Sequence, residues 1–98
     1  MYIKIHESYR NVVALCDKEL IGKKFEEENC QLDMRESFFK GREIEEKEAI
    51  KEIKKQFVKN ATFNIVGKKA IKTALSAGLI QEEDVGEINN IPFVLVLL

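Results

Sequence analysis

Apolar and polar positions alternate over residues 2–6, which puts Ile3 and Ile5 on one face of an extended segment. Residues 12–16 form a second apolar run after the polar stretch at residues 7–11, so the pair predicts a hairpin. Asp17 is suited to cap a single helical turn through Leu20 and Ile21, and Gly22 is suited to end it. Residues 23–25 return to extended structure. From Cys30 the alternation is clean again: Cys30, Leu32 and Met34 share one face, and Gln31, Asp33 and Arg35 the other, as a half-buried strand requires. Residues 37–39 predict a turn that tucks Phe38 and Phe39 inward.

The period then changes. Over residues 45–59, Ala49, Ile50, Ile53, Phe57 and Val58 recur at helical spacing, with glutamates at the start and lysines at the end to complement the helix dipole. Residues 62–66 are β-branched and aromatic enough for a strand. Residues 67–77 predict a second helix whose inner side, Ala70, Ala74 and Ala77, is small enough to approach a sheet closely, and Gly78 supplies its left-handed stop. An acidic stretch leads to a strand at 85–88, and Asn89-Asn90 turns the chain back into residues 91–98. Val94, Leu95 and Val96 lack polar alternation, which predicts burial on both faces or a contact between subunits. The pattern amounts to an α/β (α+β) fold: one domain over residues 1–98, a mixed sheet packed by two main helices at about 45–59 and 67–77.

Composition narrows the picture. With 98 residues, 45% of them hydrophobic, the chain can build one core and not two, and no Gly, Ser or Pro run marks a linker. The apolar residues 91–98 fall far short of the roughly 20 that span a bilayer as a helix, and residues 1–6 lack the apolar run of an export signal. No membrane association is expected. Cys16 and Cys30 are accordingly expected to be reduced, buried thiols. With a single histidine, His6, and no paired short spacings, neither a metal nor another cofactor is expected, and no nucleophile stands at a diagnostic distance from His6. With no catalytic constellation in it, the sequence leaves enzymatic activity open and leans away from it.

The net charge of −1 hides an uneven layout, because residues 51–72 hold seven lysines and one acid, Glu52. Lys51, Lys54, Lys55 and Lys59 suit the end of their helix. Lys68, Lys69 and Lys72 oppose the dipole of theirs, and an anion would compensate them. Asn64, Gly67, Lys68, Lys69 and Lys72 therefore form the candidate anion-binding site, with Gly67 exposing backbone N–H groups at a helix start. A solvated, solubilising surface is the competing account. The P-loop motif is excluded, since it requires glycine where Thr62 stands.

Three stretches carry a family resemblance: CDKELIGKKF at residues 16–25, SFFKG at 37–41 and ATFNIVGKKAIKTALSAGLI at 61–80. They resemble a family of small archaeal proteins, domain of unknown function 424, over essentially the whole chain. The resemblance implies an archaeal cytoplasmic α/β protein and transfers no catalytic residue. Three functions are compatible with these features: a non-catalytic module binding RNA or a ribonucleoprotein, a homo-oligomer joined through Val94, Leu95 and Val96, or an enzyme acting on a phosphorylated small molecule. The first accounts for the lysines most directly.

Overall fold

The computed structural model describes residues 1–97. Strands β1 (Tyr2–His6) and β2 (Val12–Cys16) form the predicted antiparallel hairpin, Ile3 facing Leu15 and Ile5 facing Val13. A short 3-10 turn (Lys18–Leu20) leads to a second hairpin, β3 (Lys24–Glu27) and β4 (Cys30–Asp33). Next come the one-turn helix α1 (Glu36–Phe39), the two-residue strand β5 (Arg42–Glu43) and helix α2 (Glu46–Val58). Strand β6 (Thr62–Val66), helix α3 (Lys68–Ser76), a 3-10 turn (Glu82–Asp84) and strands β7 (Gly86–Ile88) and β8 (Ile91–Val96) complete the described chain.

The main sheet has six strands in the order β5-β1-β2-β6-β8-β7, and β3-β4 stands apart as a two-stranded sheet. Only β2 and β6 run parallel, a pairing that the crossover through α2 makes possible. Asn89 and Asn90 turn β7 into β8 at φ of 51° and 65°, the left-handed region that asparagine tolerates.

Alternation along the strands sorts the core into two layers. Val13, Leu15, Phe63 and Ile65 face α2 and α3, where they meet Ala49, Ile53, Ala70 and Ala74. Ala14, Cys16 and Val66 face the other way and are covered by Leu20, Met34 and Phe39. Helices therefore cover one face of the sheet. The β3-β4 hairpin and α1 cover only part of the opposite face.

Four expectations need correction. The buried stripe of α2 is Ala49, Ile53 and Gln56, leaving Phe57 49% and Val58 80% exposed. Gln56 is held inside by its own hydrogen bonds, donating to Glu52 and accepting from Asn11 Nδ2. Cys30 is exposed: alternation aims it inward with Leu32, but it sits at the tip of a hairpin that overruns the core. Asp17 makes no side-chain hydrogen bond to the turn that follows it. In β8, Val94 is buried while Leu95 is 53% exposed, because the layer over the helix-free face stops short of it. Leu98 lies outside the described residues.

Candidate functional site

Gly67, Lys68, Lys69 and Lys72 do come together at the start of α3, but the N–H groups of Lys69 and Ala70 there are already occupied. Asp17, at the end of β2, lies beside them because β2 and β6 are parallel neighbours with Cys16 opposite Val66. Its buried carboxylate accepts hydrogen bonds from the N–H of Lys69 at 3.1 Å and of Ala70 at 2.8 Å. The anion at this helix start is the protein's own. Gly67 has φ of 110°, and a Cβ there would stand 2.4 Å from the Asp17 Cγ, so glycine is needed for the carboxylate to approach. The Gly67 N–H donates to the Pro92 carbonyl at 2.8 Å. Lys68, Lys69 and Lys72 are exposed beside an internally compensated helix end.

Asn64, grouped with these lysines on sequence, is on the other face of the sheet. It sits in β6 between Ala14 of β2 and Leu95 of β8, with its side chain on the helix-free side. There it lines a groove of about 580 Å³, a size suited to a small organic ligand. Val66 and Phe93 contribute an apolar floor, Phe38 and Met34 one wall, and Arg35 a charged flank. Among the described residues the Asn64 carboxamide makes no hydrogen bond to the protein.

The wall is held firmly. His6 Nε2 is 2.9 Å from the Phe38 carbonyl, and the His6 ring stacks on Phe38 with centroids 4.7 Å apart and planes 16° from parallel. Phe39 meets Phe38 edge-on at 4.9 Å. Lys4 Nζ donates to the Ser37 carbonyl at 2.8 Å, tying α1 down to β1 a second time. Arg35 Nε donates to Asp33 at 3.0 Å and leaves the rest of its guanidinium in solvent. His6 thus supports α1.

The thiols differ. Burial pushes the Cys16 thiol up to about 12, and the neighbouring Asp17 charge acts in the same direction, so Cys16 is an unreactive core residue. The exposed ion pair of Lys18 with Glu43, at 2.9 Å, raises the lysine and lowers the glutamate through their hydrogen bond and mutual charge. Among the described residues, no group of three or more His, Cys, Asp or Glu could hold a metal ion, and no helix is long and apolar enough to cross a membrane.

Fold and groove together define a small mixed α/β domain whose sheet is shielded by helices on one side and left with a half-open aromatic and amide-lined groove on the other. The chain belongs to the family described as protein of unknown function (DUF424), which it matches over residues 6–98. A crystal structure of an uncharacterized conserved protein from Methanopyrus kandleri superposes with a TM-score of 0.87 at 28% sequence identity, covering 97% of this chain and 88% of that one. No curated protein matches the chain.

Proposed function

We propose that this chain is a non-catalytic binding module for single-stranded RNA, with an unpaired base entering the groove on the helix-free face. The observation that carries this reading is the Asn64 carboxamide, half-buried among apolar neighbours and without a protein partner. A carboxamide offers a donor and an acceptor side by side, the pattern that pairs with the edge of a nucleobase. Phe93 and Phe38 offer apolar aromatic surface to the flat face of the same ring, and such stacking contributes about 1–3 kcal/mol per base. Arg35 stands at the flank, where a guanidinium meets phosphate.

The test is anisotropy of labelled single-stranded RNA oligomers at several salt concentrations. Asn64→Leu is expected to weaken binding about tenfold with an unchanged salt slope, since about 1–3 kcal/mol of edge recognition is lost. Arg35→Glu is expected to weaken binding and flatten the slope of log affinity against log salt by about 0.7, one single-strand phosphate contact. The combined change Lys68→Glu, Lys69→Glu and Lys72→Glu is the contrasting arm. If only that variant loses affinity, RNA meets the α3 lysines and the groove is not its site. If no RNA binds, the reading is wrong.

A further inference from the structure

The apolar side chains that α2 leaves outside the core are not scattered. Phe57 and Val58 line a cleft of about 320 Å³ between the ends of α2 and α3, whose other wall includes Leu79. Leu79 also lines a second hollow with Val96 and Leu97, and Leu97 is 69% exposed. Leu79 thus joins the two hollows into one apolar strip, whose β8 end reaches Leu95 at the rim of the Asn64 groove. A strip of this kind on an otherwise charged surface marks an interaction site.

The charges at its two ends identify the occupant. At the α2 end, Lys54 lines the cleft and Lys55 precedes Val58 by three positions, on the same side of the helix. At the other end the acidic turn Glu82–Asp84 follows directly, and Asp84 lines the second hollow. Among the described residues neither these two lysines nor Glu82 and Glu83 have an ion-pair partner within the chain. An apolar strip with cations at one end and anions at the other is complementary to itself when turned by half a revolution.

We infer that a second copy of this chain covers the strip in a two-fold dimer, with Lys54 and Lys55 of each copy set against Glu82 and Glu83 of the other. Phe57, Val58, Leu79 and Leu97 of both copies form the apolar centre. The edges of the sheet are not used. This differs from joining strand to strand through Val94, Leu95 and Val96, since β8 lies between β6 and β7 and Val94 is inside the core; only the side chains of β8 that line the second hollow take part.

Sedimentation velocity across a hundredfold range of protein concentration tests the inference. The unaltered chain is expected to sediment as a dimer that dissociates on dilution and more readily in 1 M salt, roughly where screening falls to 3 Å. Lys54→Glu with Lys55→Glu is expected to shift the midpoint to at least tenfold higher concentration, and Glu82→Lys with Glu83→Lys to do the same. All four changes together are expected to restore the dimer, because the complementarity is then reversed and intact. The four substituted side chains, Lys54, Lys55, Glu82 and Glu83, are all exposed, so circular dichroism should show each variant folded. A chain that is monomeric throughout, a dimer indifferent to both charge reversals, or a fourfold variant that stays monomeric would each overturn the inference.

Discussion

Asp17 gives the sharpest prediction, because one side chain serves a helix more than fifty positions away in sequence. Its carboxylate satisfies the N–H groups of Lys69 and Ala70, and the residue is only 6% exposed. Asp17→Ala would leave two N–H groups at a buried helix end without acceptors. Losing an N-cap costs about 1–2 kcal/mol, and each buried orphaned donor costs about 1–3 kcal/mol. Water entering the vacated volume reduces the sum, so about 2–3 kcal/mol is the expected loss. At about 4–8 °C per kcal/mol for a domain near this size, thermal unfolding followed by circular dichroism should shift down by about 10–20 °C. Asp17→Asn keeps one acceptor and removes the charge that favours this end of the dipole, so a loss of about 1 kcal/mol is expected. Gly67→Ala should cost at least as much as Asp17→Ala, since its Cβ would stand 2.4 Å from the carboxylate carbon at a φ that disfavours a side chain. Combining Gly67→Ala with Asp17→Ala should cost less than the two added, because the clash disappears with the carboxylate. An Asp17→Ala melting temperature within 3 °C of the parent would refute the capping argument, using the same conversion of about 4–8 °C per kcal/mol.

A thiol reagent should label Cys30 of the folded protein within its mixing time and Cys16 only after denaturation, since one is exposed and the other buried; equal rates would contradict the two-layer core. The Cys16 thiol is raised in the fold from 9.0 to about 12, so the unfolded chain ionises first and stability should fall as pH rises through that window. Cys16→Ala should remove this contribution to the slope in a urea titration repeated between pH 8.5 and 11.5, roughly the span of the shift. Asn64→Leu should leave the melting temperature unchanged or raise it by about 2–5 °C, because an unpartnered amide among apolar neighbours contributes little to the fold.

The periodic segments were legible because their burial is one-sided. Helices α2 and α3 begin and end within one residue of the spans their apolar spacing predicts, and β1, β2 and β6 coincide with theirs. What failed was whatever a third element decides. Phe57 and Val58 continue the apolar spacing of α2, but the sheet beneath ends before they do. Cys30 continues the alternation of β4 past the edge of the core. β5 pairs only at Tyr2 and Ile3, too briefly for its two residues to carry a pattern. Asp17 reads as a local cap because capping rules look ahead along the chain; its partner became visible only when β2 and β6 were set side by side. One signal was available: a helix opening Gly-Lys-Lys has no N-cap side chain of its own and must borrow an acceptor.

The separation of Asn64 from the lysines changes what the chain's polar residues mean. Lysines at the start of α3 looked uncompensated, yet a buried carboxylate lies within that same turn, so their positive charge offsets the Asp17 charge and requires no external anion. The residue left without a structural explanation is Asn64. Of its strand neighbours on the same face, Ala14, Val66 and Leu95 are apolar and Thr62 is β-branched, and a β-branched residue would suit the strand better than asparagine. Had the β3-β4 layer extended over it, the unpaired carboxamide would cost about 1–3 kcal/mol. Instead the layer stops short and leaves the amide at the floor of a groove walled by Phe38, which His6 clamps from below. A polar group that stability does not require, kept accessible by an incomplete layer between the Phe93 floor and the Phe38 wall, is what the proposed recognition of a flat, hydrogen-bonding ring would use.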